Sequence, residues 1–389
     1  MRLFINALGA SAGGGLTYLR NVVPHIAAHP DVEVPLLVSR DARTLIPAAS
    51  NVLVIDPGEN AHDNFSRFFW EQRQVPALIR QTGADVLLSA GNFAIWKSPV
   101  PQILLSRNSL YTSLDFAHDL QRRRDYRLWV DTRLKGLLAR KSVQRAELTI
   151  APSEAFAREL SAWAGRDVIA VHHGFDRSAF FRDDGPLPLT IQEKLKETEG
   201  AVRLLFVSHY NYYRNFETLL RGIALLKARY PFRQVRLLLT CELVPGKNPG
   251  SYSTREASTL LRELRISSDV VQLGPVPYAL LHQVYRSCQI YVTPAYTETF
   301  AHPLVEAMAS GLPIVASDLP VHREITGGAA LFFDRFSPTE LADKVAQLLA
   351  SPQQQSDLQK RGLAQSENFS WKVHVQRLLE LIAPLCEKR

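Results

Sequence analysis

Two doubly wound α/β domains, one following the other, are what this sequence predicts, and three observations carry the prediction. The chain has 389 residues, about twice the usual size of one domain. Short apolar runs alternate with helical patterns along its whole length, as in parallel sheets covered on both faces. That alternation starts afresh after a polar, turn-rich stretch at 182–200, which holds Asp183, Asp184, Gly185, Pro186 and Pro188. With 46% hydrophobic and 21% charged residues, the chain has material for large cores and lacks the composition of a disordered one.

The elements follow in order. Residues 2–7 read as a first strand, Gly13-Gly14-Gly15 as the turn after it, and Leu16, Leu19, Val22, Val23 and Ile26 as one face of a helix. Strands are expected at 34–39, 52–55, 86–89, 102–106, 148–151 and 168–171. The second series begins with a strand at 202–208 and a helix at 215–229, then a strand at 235–240 and a helix at 254–264. It continues with a strand at 270–273, a helix at 278–287, a strand at 290–293, a helix at 303–310 and a strand at 313–317. The predicted division is an N-terminal Rossmann-like domain at 1–185, a C-terminal one at 200–365, and a final helix at 366–389 packing back toward the first. Two such layers facing a cleft would place ligands at the C-terminal ends of the strands.

Composition also excludes. Cys241, Cys288 and Cys386 are too few and scattered for a disulfide framework or a metal cage and fit a reducing, cytoplasmic setting. No stretch is long and apolar enough to span a bilayer, and the short run at the N-terminus, interrupted by Asn6, argues against a secretory leader. Charge is uneven: residues 121–145 carry nine basic and two acidic side chains, a net +7 that equals the excess of the whole chain. With Tyr126, Leu128, Trp129, Leu134, Leu137 and Leu138 between the charges, the segment suits an anionic membrane surface or an anionic acceptor, or is a solvated helix face. No nucleic-acid motif accompanies it.

The densest chemistry lies in YTETFAHPLVEAMASGLP, residues 296–313. Pro303 suits a first helical turn and Gly311 a helix stop, so Glu298 falls in the loop before the helix and Glu306 on its first turn. Amides around 299–302 then point out of a helix start, a ready site for pyrophosphate. Carboxylates flanking an anion need donors, and sugar hydroxyls supply them: those of a transferred sugar for Glu298, those of a ribose for Glu306. Alone, Glu306 also reads as a carboxylate stabilised by the helix dipole.

ETFAHPLVE, with seven residues between its two Glu, and EAMASGLPIVASDLPVHREI resemble the signature of the retaining family 4 glycosyltransferases, which have the GT-B fold. Further stretches fit in order: the glycine run, APSEAFAREL (151–160), HHGFDRSAF (172–180), VSHYNYYRN (207–215), Gly274-Pro275-Val276 and Phe369-Ser370-Trp371. The resemblance implies a nucleotide diphosphate sugar donor and a glycan, lipid-linked or small-molecule acceptor. It implies Glu298 on the donor sugar, Glu306 on the ribose, and the amides of Thr299, Phe300 and Ala301 on the phosphates and sugar. The family's pyrophosphate cations fall at His209 and Arg214, and its glycine loop, here Gly14 and Gly15, faces the diphosphate. Thr299 and Ala301 stand where the family has glycines, which alters the sugar pocket. Arg107 and Asn108 follow a strand and should line the cleft, Asn108 near the reacting sugar; His118 is a general base by residue type or a structural histidine.

No two aspartates lie two residues apart, so the Asp-x-Asp element that holds a divalent ion on a diphosphate is absent, and no metal or other cofactor is expected. One rival is an NAD(P)-dependent dehydrogenase, from the opening strand, glycines and helix and from Asp41; it lacks a clean Gly-x-Gly-x-x-Gly and leaves Glu298 and Glu306 unexplained. Others are a catalytically impaired GT-B protein at a membrane surface and a GT-B epimerase.

Overall fold

The computed structural model describes all residues except 11–13, 45, 47, 58–63, 231–233, 251 and 388–389, and of Asp41, Asn64 and Phe65 only the backbone. Gly13 and the Asp41 side chain therefore lie outside the described residues. The chain forms two compact units. The first comprises Met1–Ser113, Leu120–Gly174 and Ser370–Arg389; the second comprises Leu114–Asp119 and Phe175–Phe369.

The first unit is a parallel sheet in the order β3-β2-β1-β4-β5-β6-β7. Its strands are β1 (Leu3–Asn6), β2 (Val34–Leu37), β3 (Val52–Ile55), β4 (Val86–Ser89), β5 (Gln102–Leu105), β6 (Leu148–Ala151) and β7 (Ile169–Ala170). Each lies within a stretch expected from its apolar run; burial on both faces explains the runs of β1, β2 and β4, while the edge strand β3 is partly exposed. Alternation still sorts the two faces: Leu3 and Ile5 join Tyr18, Leu19 and Val22 in one core, while Phe4 joins Val75 and Ile79 in the other.

The helix Trp371–Cys386 belongs to this unit and packs on the helix Gly14–Ala27, burying Trp371, Val375, Leu378 and Ile382. Its start crosses Gly174 so closely that a Cβ there would sit 2.0 Å from the Trp371 nitrogen, so only glycine fits. Tyr18, His173, Trp371 and His374 stack around the crossing, and His374 Nε2 meets the Tyr18 hydroxyl at 3.1 Å.

The second unit repeats the winding as β10-β9-β8-β11-β12-β13. These are β8 (Val202–Phe206), β9 (Val235–Leu239), β10 (Val270–Gln272), β11 (Ile290–Thr293), β12 (Ile314–Ser317) and β13 (Ala330–Phe333). Strand β13, short and half-buried at the sheet edge, had no place in the expected series. The expected helix at 278–287 divides into a 3₁₀ turn, Tyr278–Leu280, and the helix Leu281–Arg286.

The expected linker at 182–200 needs correction, since the units divide at Gly174. The helix Leu189–Lys196 lies inside the stretch, Leu187 and Ile191 are buried, and Lys194 Nζ donates to the Gln272 carbonyl at 2.6 Å. Polar composition marked a turn-rich surface segment, and two buried side chains suffice to fix it on the second unit.

Candidate functional site

In an open α/β sheet the strand order reverses at one point, and ligands bind beyond the carboxyl ends of the strands there. In the second unit that point lies between β8 and β11. The chain leaving β8 runs through His209 to a 3₁₀ turn, Tyr212–Arg214, and then to Asn215, held at φ +54° before the helix Phe216–Arg229. Asparagine tolerates this left-handed conformation, and here it also serves as a clip. Its Nδ2 donates to the carbonyls of Pro294 (3.1 Å), just after β11, and Arg335 (2.6 Å), near the end of the second sheet's last strand, tying the loop after β8 to both. The Tyr296 amide adds a bond to the Tyr213 carbonyl at 3.0 Å.

These ties bring Arg214 against Glu298. The guanidinium donates to the carboxylate, which also accepts from the Thr299 amide at 3.1 Å, and the two side chains are 19% and 12% exposed. Burial works against the Arg214 charge, and Glu298 more than restores it, so its pKa lies above the ordinary arginine value. Arg214 Nε is buried without a hydrogen-bond partner. His209 is exposed over much of its surface, yet partial burial of its ring and the nearby Arg214 push its pKa below 6.5. At neutral pH it is an uncharged imidazole, so Arg214 is the permanent cation of the pair.

Glu306 sits elsewhere than expected. The helix runs His302–Ala309, which puts Glu306 on its second turn, buried, with Tyr285 donating to its carboxylate at 2.9 Å and Tyr278 donating as well. Burial raises its pKa from 4.5 to about 7. A dipole-stabilised surface carboxylate is thus excluded, and the phenols are partners that no sequence motif announced. Ala301 caps the helix at φ +64°, a conformation natural to glycine, and Phe300 turns its ring inward against Phe369 at 5.4 Å. Of the stretch 298–301, only Glu298 and Thr299 keep partly exposed side chains.

In the first unit, Gly14 and Gly15 open the helix Gly14–Ala27 rather than forming a loop before it. They differ in role. A Cβ on Gly15 would lie 2.9 Å from Ala10 Cα and 3.0 Å from the Arg107 guanidinium, so Gly15 serves packing within the unit, while Gly14 is exposed with open space around it. Arg107 clamps this start, donating to the carbonyls of Gly14 (2.9 Å) and Ala90 (3.1 Å) above the Tyr18 ring. Burial pushes its pKa down to about 10. Asn108 caps the turn Ser109–Tyr111, accepting from the Leu110 amide at 3.1 Å and bonding the Tyr111 side chain, so it positions Tyr111. His118 lies on the helix Leu114–Arg122, exposed.

Sequence reasoning missed a group at the first sheet's own switch point, between β1 and β4. Gly9, Gly91, Asn92 and Phe93 leave those strands and, with Arg67, Phe68, Tyr111, Lys135 and Leu138, enclose a cavity of about 150 Å3. The position of Gly91-Asn92-Phe93 after β4 was the available signal. Arg67, amid the aromatics of the helix Asn64–Thr82, gave none. Among the described residues no cluster of His, Cys, Asp or Glu fit to hold a metal ion occurs.

The profile of the family described as Glycosyltransferase Family 4 matches residues 12–179, and that of Glycosyl transferases group 1 matches residues 189–365. The chain belongs to the family 4 glycosyltransferases. Family membership agrees with the signature read from the ETFAHPLVE stretch and leaves the dehydrogenase and impaired-protein readings without support.

Among curated relatives, a D-inositol 3-phosphate glycosyltransferase of Corynebacterium diphtheriae is 28% identical over 45% of this chain and 40% of its own length. A second such protein, from Catenulispora acidiphila, is 29% identical over 59% and 54%. The chain thus spans about half the length of the relatives it matches. Among solved structures, sucrose-phosphate synthase from Thermosynechococcus elongatus superposes with TM-score 0.77 at 18% identity, over 100% of this chain and 99% of that one. Anabaena HepE, described in complex with UDP-glucose, superposes with TM-score 0.72 at 18% identity, over 98% and 99%. The fold is GT-B.

Proposed function

We propose that the chain is a retaining glycosyltransferase that takes a sugar from a nucleotide diphosphate donor held by the second unit and passes it to an acceptor hydroxyl without a metal ion. The observation that carries the reading is the pairing of Arg214 with Glu298 at the switch point of the second sheet. As the diphosphate departs, the guanidinium neutralises the negative charge that develops on it, a role a metal ion fills elsewhere. A bound donor gives Glu298 sugar hydroxyls to accept from, which releases the guanidinium toward phosphate. Glu306 accepts from the ribose on the same principle, in competition with Tyr285. The resemblance to the retaining family implies a front-face route through the leaving phosphate.

Thermal unfolding without metal, in the presence of UDP, GDP, dTDP, CDP, ADP or NAD(P), tests the donor assignment. One nucleoside diphosphate should raise Tm by a few degrees at saturation, and Glu306→Ala should abolish the shift. Stabilisation by NAD(P) alone overturns the reading. Turnover in EDTA and a product anomer matching that of the donor test metal independence and retention.

The 121–145 segment supports peripheral docking on anionic lipid. On the helix Tyr126–Arg145, the side chains of Tyr126, Val130, Leu134 and Leu137 follow one stripe and are 47–65% exposed. Arg127, Arg133, Arg140, Lys141 and Arg145 share the solvent side, while Asp131 is paired with Lys135. Apolar side chains ringed by cations suit an anionic interface, although no described helix is long and apolar enough to cross a membrane. Co-sedimentation with phosphatidylglycerol vesicles, lost in Leu134→Glu/Leu137→Glu and absent with neutral vesicles, is the expected result; equal pelleting of the variant overturns it.

A further inference from the structure

The cavity of the first unit has chemistry that donor binding leaves unused. Arg67 lies on its wall with a side chain only 19% exposed. Its single partner among the described residues is Glu71, whose Oε1 is 3.7 Å away and outside hydrogen-bond reach. Glu71 is itself buried, which lifts its pKa to about 7, so near neutrality it offers Arg67 only part of a charge. Arg67 therefore hydrogen-bonds to no described residue, and the cavity leaves open the side from which an acceptor would reach its guanidinium.

The other walls are built for the same guest. Lys135 enters from the helix Tyr126–Arg145 with its ammonium 2.7 Å from Asp131. Asn92 is held at φ +66° and gives its Oδ1 to the Arg107 amide at 2.8 Å, which leaves its Nδ2 as the donating end. Phe68 and Phe93 meet edge to face with centroids 5.6 Å apart, and Phe93 reaches the Tyr111 ring at 6.4 Å, so flat apolar surface adjoins the donors. Two cations on separate helices face one committed carboxylate and one half-neutral one. Two cations against one full and one partial carboxylate charge leave the set net positive, which favours an anion, and a guanidinium fork matches phosphate oxygens in geometry.

We propose that this cavity binds a phosphoryl group of the acceptor through Arg67 and Lys135, with the acceptor's ring against Phe68, Phe93 and Tyr111. The proposal deepens the glycosyltransferase reading, on which its assignment to the acceptor rests; the anion site itself stands on the first unit alone.

The test is calorimetric titration of inorganic phosphate into the full chain already saturated with UDP, so that the donor's own phosphate site is occupied. Phosphate should bind, and Arg67→Gln should weaken it about tenfold or more. Lys135→Gln, at a partly exposed position, should weaken it as well and serves if Arg67→Gln fails to fold. UDP affinity should be unchanged in both variants. No phosphate binding beside UDP, or equal binding in wild type and variants, overturns the proposal. Failure of UDP to bind counts against the donor reading instead and leaves the phosphate titration interpretable. Two sources of the group are separable: a soluble sugar phosphate predicts that glucose 6-phosphate displaces inorganic phosphate, and a lipid headgroup predicts that phosphatidic acid vesicles do. Either displacement, dependent on Arg67, supports the site.

Discussion

In the second unit the loops after β8 and β11 meet as an ion pair, Arg214 with Glu298, and the next carboxylate, Glu306, is taken up by Tyr285. In the first unit the loops after β1 and β4 open on a cavity whose Arg67 hydrogen-bonds to no described residue. Both stand at the switch point of sheets wound in the same order, so topology chose the place and the side chains chose the chemistry. A self-satisfied site holds its charges in position without ligand and must exchange partners when one arrives. A site with an unmet donor binds by satisfying it, at the expense of the empty state's stability.

The units also differ in how they are closed, and the largest expected effect breaks this difference. Gly174→Ala would drive a Cβ into the backbone at Ser370 and Trp371, detaching the helix Trp371–Cys386 from the first unit. A loss of about 4 kcal/mol or more is expected, measured by calorimetric unfolding as a lowered transition of the first unit with UDP stabilisation of the second retained.

Next comes the ion pair itself. Arg214→Met leaves Glu298 largely buried and uncompensated, which should cost about 3 kcal/mol in denaturant unfolding and abolish UDP binding. Glu298→Gln, which keeps a hydrogen-bond acceptor, should cost less; equal losses would show that the charge pair is not what holds the loop.

Glu306 gives a pH signature of similar size to Arg214→Met, spread over a window. Its pKa is raised from 4.5 to about 7 on folding, so the folded chain binds the proton more tightly than the unfolded one. Its contribution to stability is therefore complete below pH 4.5 and is lost as pH rises through 7, a change of about 3 kcal/mol that Glu306→Gln should remove from the stability profile. Ribose hydroxyls favour the ionised carboxylate, so UDP binding at pH 7 should release about half a proton, read from titrations in buffers of different ionisation enthalpy, and none in the variant. Glu71 is raised to about 7 in the same sense, and Glu71→Gln should flatten the same window without touching the UDP-linked proton.

The smallest effect concerns backbone conformation. Ala301, at φ +64°, occupies a glycine-type position. Ala301→Gly should stabilise by about 0.5 kcal/mol in chemical denaturation, the relief of strain exceeding glycine's entropic cost. A loss of stability would mean that the methyl group, rather than the turn, fixes the loop.

Much of this fold was legible without coordinates. Parallel strands buried on both faces announce themselves as apolar runs, which is why β4, β6 and β11 lie at the residues expected. Strand β13, partly exposed at an edge, carries a weaker pattern and escaped notice. Glu298 and Glu306 could be named because a local motif spaces them, and Arg214 because the stretch after β8 resembles that of the family. Their partners could not: Tyr285 reaches Glu306, and Arg214 reaches Glu298, across 21 and 84 residues of chain.

Sequence alone determined the winding of the two domains, the family signature and the concentration of positive charge at 121–145, because each is written in local pattern or composition. Tertiary structure alone decided that the units part at Gly174, that Gly15 serves packing while Gly14 stays open, that Glu306 is buried under phenols, and that Arg67 hydrogen-bonds to no described residue. These depend on which distant segments meet and on how completely water is removed from between them, and neither property is carried by spacing along a chain.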